Sequence, residues 1–286
     1  MTGTTVLARS QWQSLRDRHR DRVDTLIGPH RDRGGRKHPV VDFLFTYYSF
    51  RPAQLLRWHP GFGVTLEGGD EYADRRGYHR TTAGVTVDPA FLARRRDAVE
   101  YAAALTAATA GRPPRLSCFG LHEWAMVYRS DETRHPVPLR LGADGTDRVV
   151  ESAEIRCSHY DAFRFFTPEA VPLNIEPLTR ADQVAREQPG CLHANMDLYK
   201  LCYKLSPLID SDLTVDCFEL AWDARELDMR ASPYDLRDLG YEPVPIETPQ
   251  GRAAYVREQS ALAERAAVLR ELLTRQCRAL ATLARA

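Results

Sequence analysis

The chain has 286 residues, 43% hydrophobic and 9% aromatic, and its 39 basic and 39 acidic side chains give a formal net charge of zero. That composition supports a sizeable core and is ordinary for a soluble globular protein. The longest apolar stretch, around Tyr101–Ala110, is about half of the roughly 20 residues a membrane span requires, so no membrane association is expected.

The N-terminal run MTGTTVLARSQWQSLRDRHRDR contains no apolar segment of the signal-peptide kind, which predicts a cytoplasmic protein. Charge is uneven along the chain: residues 1–60 carry eleven Lys or Arg against five Asp, and residues 181–240 carry six basic against twelve acidic side chains. Residues 1–37 therefore read as a basic N-terminal arm suited to phosphate, with DNA as its partner. Within it, Arg16–Asp24 also has the pattern of a solvated helix with i,i+4 ion pairs. Residues 38–286 read as a single, mainly helical catalytic domain.

The first structured block is Val40–Trp58, in which Arg51-Pro52 marks a break followed by a helix with Pro in its first turn. Residues 60–90 are Gly-rich, with alternation at Gly84–Val87 that predicts loop plus a short strand or two. A helix follows from Pro89 to Ala110, with Asp88 as its N-cap. The run SCFGLHEWAMVYRS, 117–130, predicts the next helix. Val137–Leu141 and Val149–Ile155, separated by GADGTD, predict a β-hairpin with an Asp-Gly turn. Helices are expected over Leu192–Leu205 and Leu213–Met229, each ending ahead of a Ser-Pro. In the last helix Thr248-Pro249 supplies N-cap and first-turn Pro, and Leu262, Ala266, Leu269, Leu273, Leu280 and Leu283 form a stripe. That stripe fits core packing or a helix seam between copies of the chain, a homo-oligomer. The expected fold is mostly α: a helical domain with a small β-hairpin insertion.

The six cysteines are dispersed with no CxxC pair, which predicts reduced thiols and excludes a cysteine zinc knuckle. Three segments carry ionisable groups where the pattern implies burial. His122 and Glu123 flank a core face made by Leu121, Trp124, Ala125 and Tyr128; the HE dipeptide is not the zinc-peptidase HExxH motif, because position 126 is Met. His159 and Asp161 are two apart and share a face in extended chain, a pairing able to supply two ligands of a His/His/carboxylate set for iron. His193 and Asp197 are i and i+4 on one helix face, in line with Lys200 and Lys204. Glu219, Asp223 and Glu226 form an acidic stripe that reads as solvent-exposed. Convergence of His122, Glu123, His159, Asp161, His193 and Asp197 would make one polar pocket with tunable pKa values.

The phrases HPVVDFLFTYYSFRPAQLLRWHPG, CFGLHEWAMVYR, SHYDAFRFFTPEAVPLN, QPGCLHANMDLYKLCYKLSPLIDSDL and ELDMRASPYDL resemble an actinobacterial family commonly labelled 3-methyladenine DNA glycosylase, over about residues 38–275. The resemblance implies hydrolysis of the N-glycosidic bond of an alkylated purine in DNA repair, with no cofactor. The chain lacks the helix-hairpin-helix motif and the HEAT-like repeats of well-understood alkylpurine glycosylases, so no catalytic residue carries over from them. On this reading Glu123 is the carboxylate near the sugar and His122 or His159 its orienter. Tyr47, Tyr48 and Trp58 would stack on the flipped base, and Arg51 and Arg57 would reach phosphate.

A second reading makes His122, Glu123, His159, Asp161, His193 and Asp197 the ligands of iron or another divalent metal in an oxygenase or hydrolase of a small molecule. A third, a non-catalytic assembly protein built on the C-terminal helix, accounts for the leucine stripe and leaves the polar clusters without a role.

Overall fold

Why the chain is helical is plainest at its end. Helix α13 (Pro249–Leu283) begins where Thr248 Oγ1 accepts a hydrogen bond from Gly251 N at 3.0 Å, satisfying one of the amide groups that a helix start leaves unpaired. Leu262, Ala266, Leu273 and Leu280 of its stripe are buried. In this computed structural model, which describes residues 5–31 and 38–285, 57% of the described residues are helical and a small four-stranded sheet is the β element. The chain forms two units. The first comprises residues 1–106, 198–219 and 269–286, and the second comprises residues 107–197 and 220–268.

In the first unit, β1 (Thr5–Leu7) leads into α1 (Arg9–Arg31). Trp12, His19, Val23 and Ile27 recur along α1 and are buried, and His19 Nε2 donates to the Leu55 carbonyl at 2.9 Å. Arg22 pairs with Asp216 at 2.7 Å and Glu219 at 2.8 Å. Much of the segment read as a basic arm is thus packed and partly neutralised; residues 1–4 and 32–37 of it lie outside the described residues. Short helices α2 (Val41–Thr46) and α3 (Pro52–Leu55) follow, the latter opening at Pro52 as its fixed φ favours.

The sheet has the order β1-β2-β4-β3, built from β2 (Val64–Leu66), β3 (Tyr78–Thr81) and β4 (Gly84–Val87), with α4 (Asp70–Ala73) between β2 and β3. Strand β1 pairs parallel with β2, and β3 and β4 form an antiparallel hairpin. Gly84 is required there, since a Cβ on it would sit 2.2 Å from the Leu66 carbonyl oxygen. Asp88 caps α5 (Pro89–Arg94) by accepting from Ala90 N at 2.8 Å. The helix expected through to Ala110 is divided at Arg95, and α6 covers Arg96–Ala110.

The second unit contains the clearest corrections. The run 117–130 is not a long helix: only α7 (Leu121–Ala125) is helical, entered through Phe119 at φ 50 and Gly120 at φ 71. Every residue from 120 to 128 is buried, so no exposed face exists to make the segment amphipathic. The hairpin expected at 137–155 is also absent. Residues Gly142–Glu151 form helix α8, with Thr146, Val149 and Val150 on its buried face. Leu139 and Ile155 make only isolated bridges, to Tyr234 and Asn174. The Asp-Gly pair lies in the first turns of α8, and the apolar spacing that follows is helical, so the hairpin of this protein is β3–β4. Next come α9 (Tyr160–Phe163), α10 (Gln183–Arg186) and the first half of α11 (Leu192–Lys204), up to Asp197. The series continues with α12 (Ser211–Arg230) from Leu220 onward and the N-terminal part of α13. Trp124 of α7 donates to the Ala231 carbonyl at 2.9 Å, and Arg140 makes a two-pronged pair with Glu247 at 2.6 and 2.8 Å.

Candidate metal centre

Two charged side chains on the apolar face of α12 organise the second unit. Ala221, Ala224, Arg225 and Asp228 stand at i, i+3, i+4 and i+7, one helix face, and all four are buried, Arg225 and Asp228 at 1% and 0% exposure. Charged groups are hardly ever buried so fully without partners. Arg225 Nη1 donates to Glu123 Oε1 at 2.7 Å and to Asp228 Oδ2 at 3.0 Å. Its Nη2 donates to His135 Nε2 at 3.3 Å. The other oxygen of Asp228 accepts from His122 Nε2 at 2.7 Å, and the second nitrogen of that ring lies 3.5 Å from Cys118 Sγ.

These contacts set the protonation states. Burial disfavours the charged form of His122, but the Asp228 carboxylate outweighs it by charge and hydrogen bond and holds the imidazole well above its usual range. Burial would raise Asp228; His122 and Arg225 instead hold it well below the usual carboxylate range. The four groups make a balanced set, two cations and two anions. His135 is pushed down to about 3 by burial and then by Arg225 and Arg134, so it accepts as a neutral ring.

His193 of α11 is the exception to this pairing. Its ring meets that of His122 edge-on with centroids 4.5 Å apart and stacks on His159 at 5.3 Å. Burial, and then the charge on His122, push it well below the ordinary imidazole range, which leaves a neutral electron-pair donor. Its Nδ1 is buried without a hydrogen-bond partner, a state that costs about 1–3 kcal/mol. His122, His193 and Asp228 each offer a ligand atom within 4.8 Å of the others.

A second triad lies alongside. His159 Nε2 is 3.4 Å from Glu187 Oε1 and 3.3 Å from Asp197 Oδ2, and one ligand atom from each of these three buried residues lies within 4.8 Å of the others. Gln183 Nε2 donates to Glu187 Oε1 at 3.1 Å, which fixes that carboxylate. The i,i+4 spacing of His193 and Asp197 on α11 is what gives each triad one residue from the same helix.

Of the six residues expected to converge, His122, His193, His159 and Asp197 join the triads. Glu123 lies beside them in the ion pair with Arg225. Asp161 is drawn elsewhere: it pairs with Arg164 at 3.2 Å and Arg180 at 3.5 Å. His159 is extended but Asp161 already belongs to the helical turn α9, so the alternation that would put both on one face ends between them. Asp228, Glu187, Arg225 and His135 were not singled out from the sequence. Arg225 and Asp228 had a signal, two charges within an otherwise apolar i, i+3, i+4, i+7 face; Glu187, in a loop after α10, had none. The acidic stripe of α12 is paired outward, with Asp223 2.6 Å from Arg265 and Glu226 3.9 Å from Arg230.

The residues expected to bind base and phosphate all belong to the first unit. Tyr48 and Trp58 are buried at 4% exposure. Tyr48 contacts the rings of Tyr199 and Tyr203 at 5.6 and 6.2 Å, and Trp58 that of Tyr72 at 6.5 Å. Tyr47 is half-buried and stacks on Phe43 at 4.7 Å; Arg51 and Arg57 are exposed. All six cysteines are free thiols, and among the described residues no helix is long and apolar enough to cross a membrane. No protein-family profile, no curated protein and no solved structure matches the chain.

Proposed function

We propose that the protein is a metal-dependent enzyme whose divalent cation is held by His122, His193 and Asp228, with His159, Glu187 and Asp197 offering an adjoining set. The observation that carries this reading is His193: a neutral, buried imidazole whose Nδ1 has no hydrogen-bond partner, in a cluster whose ligand atoms are already gathered within 4.8 Å. Binding would require His122 to give up the proton it shares with Asp228, since a ligating imidazole is neutral; two imidazoles and one carboxylate are then the donor set of non-haem iron(II) sites, and they also suit zinc or manganese. A cation held this way would supply Lewis-acid activation of water or oxygen toward a small-molecule substrate.

The protein's own residues have definable tasks on this reading. Arg225 holds Asp228 through Oδ2 and leaves Oδ1 directed at His122, the kind of outer support that keeps a ligating carboxylate in one orientation. Glu123 balances Arg225. The glycosylase reading is supported by the sequence resemblance, and it asks Glu123 to act as a carboxylate near a sugar; Glu123 is 3% exposed and bound to Arg225.

The test is metal analysis of untagged protein by inductively coupled plasma mass spectrometry, before and after reconstitution with iron(II), zinc or manganese. About one equivalent or more of one metal, lost in both His193→Ala and Asp228→Asn, is the expected result. Substoichiometric metal after reconstitution, or equal loading in the two variants, would overturn it. Release of 3-methyladenine from alkylated DNA by metal-free protein would instead establish the glycosylase.

A further inference from the structure

The first unit carries a feature the metal centre does not involve. A cavity of about 290 Å³ is lined by the cationic side chains of Arg57, Arg76 and Arg95 and by the rings of Phe50, Phe91 and Tyr203, with no carboxylate in its wall. Phe50 and Tyr203 are stacked, with centroids 4.6 Å apart and planes 21° from parallel. Arg76 lies 5.9 Å over the Phe91 ring, and Arg95 donates to the Lys204 carbonyl at 2.9 Å. In a protein with no net charge, three guanidinium groups in a wall that contains no carboxylate raise a local positive potential that an anion relieves. His59, also in the wall, registers that potential: burial, and then the charges of Arg57 and Arg75, push it down to about 3. Among the described residues Arg57 and Arg76 make no ion pair with a carboxylate.

The chemistry of the wall is divided in two. Guanidinium groups match the oxygens of a phosphate with paired N–H donors, whereas a stacked aromatic pair offers a flat surface to another planar ring. The volume is at the lower end of that of small-molecule pockets, roughly 300 Å³ and upward, which suits one ring and one phosphate and not a dinucleotide.

We propose that this cavity is a nucleotide site, in which the arginines hold one phosphate and the Phe50–Tyr203 pair receives one planar base. Free mononucleotide and the phosphorylated end of a nucleic-acid strand share that chemistry.

The experiment is calorimetric titration of the full-length protein with adenosine 5′-monophosphate, adenosine, inorganic phosphate and a 5′-phosphorylated oligodeoxynucleotide. It is repeated on Arg57→Gln/Arg76→Gln, two exposed positions whose replacement leaves the fold intact, and on Phe50→Leu. Binding of the mononucleotide or the oligonucleotide, at least tenfold weaker in Arg57→Gln/Arg76→Gln, is expected. Phe50→Leu is expected to weaken both ligands severalfold and leave inorganic phosphate unaffected. Tighter binding of the mononucleotide identifies free nucleotide as the source; tighter binding of the oligonucleotide identifies a strand end. No binding of either at millimolar concentration, or affinities unchanged in the double variant, would overturn the site. Mononucleotide that binds no better than inorganic phosphate and ignores Phe50→Leu would reduce it to a plain anion site and sink the nucleotide assignment.

Discussion

Replacing Arg225 with methionine tests the charge balance at the centre of the second unit. Arg225 is 1% exposed and lies 2.7 Å from Glu123 and 3.0 Å from Asp228. At an effective dielectric of about 20, each charge pair near 4 Å is worth about 4 kcal/mol of attraction, offset by the cost of taking the guanidinium out of water. Removing it leaves two carboxylates facing one protonated His122, and breaking a buried pair in this way costs about 3–5 kcal/mol. For a chain of this size about 2–4 °C of Tm is lost per kcal/mol, so a fall on the order of 10 °C is expected. Adding Glu123→Gln restores neutrality: Asp228 keeps His122, and the methionine faces an amide. The double variant should therefore be more stable than Arg225→Met alone, with a coupling of about 1–3 kcal/mol. Guanidinium denaturation of all four proteins of the cycle, followed by Trp fluorescence and near-UV circular dichroism, measures it. A cost below about 1 kcal/mol for Arg225→Met, or a double variant no better than the single, would refute the balanced-network account.

Stability against pH should show a maximum near 6.5. His59 and His135 are both held down to about 3 from the ordinary imidazole value of 6.5. Between those values the unfolded chain binds the extra protons, so stability is lost as pH falls below 6.5. Each contributes a slope of at most about 1.4 kcal/mol per pH unit, less because both rings are half-buried. His122 has the opposite sign: its folded pKa is raised, so its contribution is complete below 6.5 and declines as pH rises through its folded value. Denaturation midpoints from pH 5 to 8 test this, and a slope below pH 6.5 that is not reduced in His59→Gln would contradict the assignment. Thr248→Ala removes the cap of α13 and should cost about 1 kcal/mol by the same denaturation assay. Leu273→Ala, at a residue with 0% exposure, should cost about 2–5 kcal/mol. Val268→Ser, on the same helix at 61% exposure, should stay within about 0.5 kcal/mol; similar losses at the two positions would mean the stripe is not the buried face.

What was legible in the sequence was local. Helix α13, the N-caps Thr248 and Asp88, the start at Pro52, and helices α11 and α12 follow from capping chemistry and 3.6-residue periodicity, which act over a few residues. The same local signals misled where burial is complete. Around α7 the chain is buried on every side, so periodicity carries no information about where the helix begins and ends; its start is set by the positive φ of Phe119 and Gly120, which precede it. At 142–151 an Asp-Gly pair suited to a hairpin turn is equally compatible with a helix start, and packing of Val149 and Val150 decides in favour of helix.

The sequence by itself determined a mostly helical protein with a small β element and the residue types of a polar centre, His122, His159, His193 and Asp197 among them. Only the tertiary structure decided which of these meet. His122 lies 106 positions from Asp228, and His159 lies 28 positions from Glu187 and 38 from Asp197. No local rule links positions so far apart, because side-chain contact across loops depends on how helices dock and not on spacing along one element. The same docking turns Asp161 toward two arginines and encloses Glu123 with Arg225. It also leaves His193 Nδ1 without a partner, because an imidazole buried among groups already committed to one another has no remaining proton donor to meet.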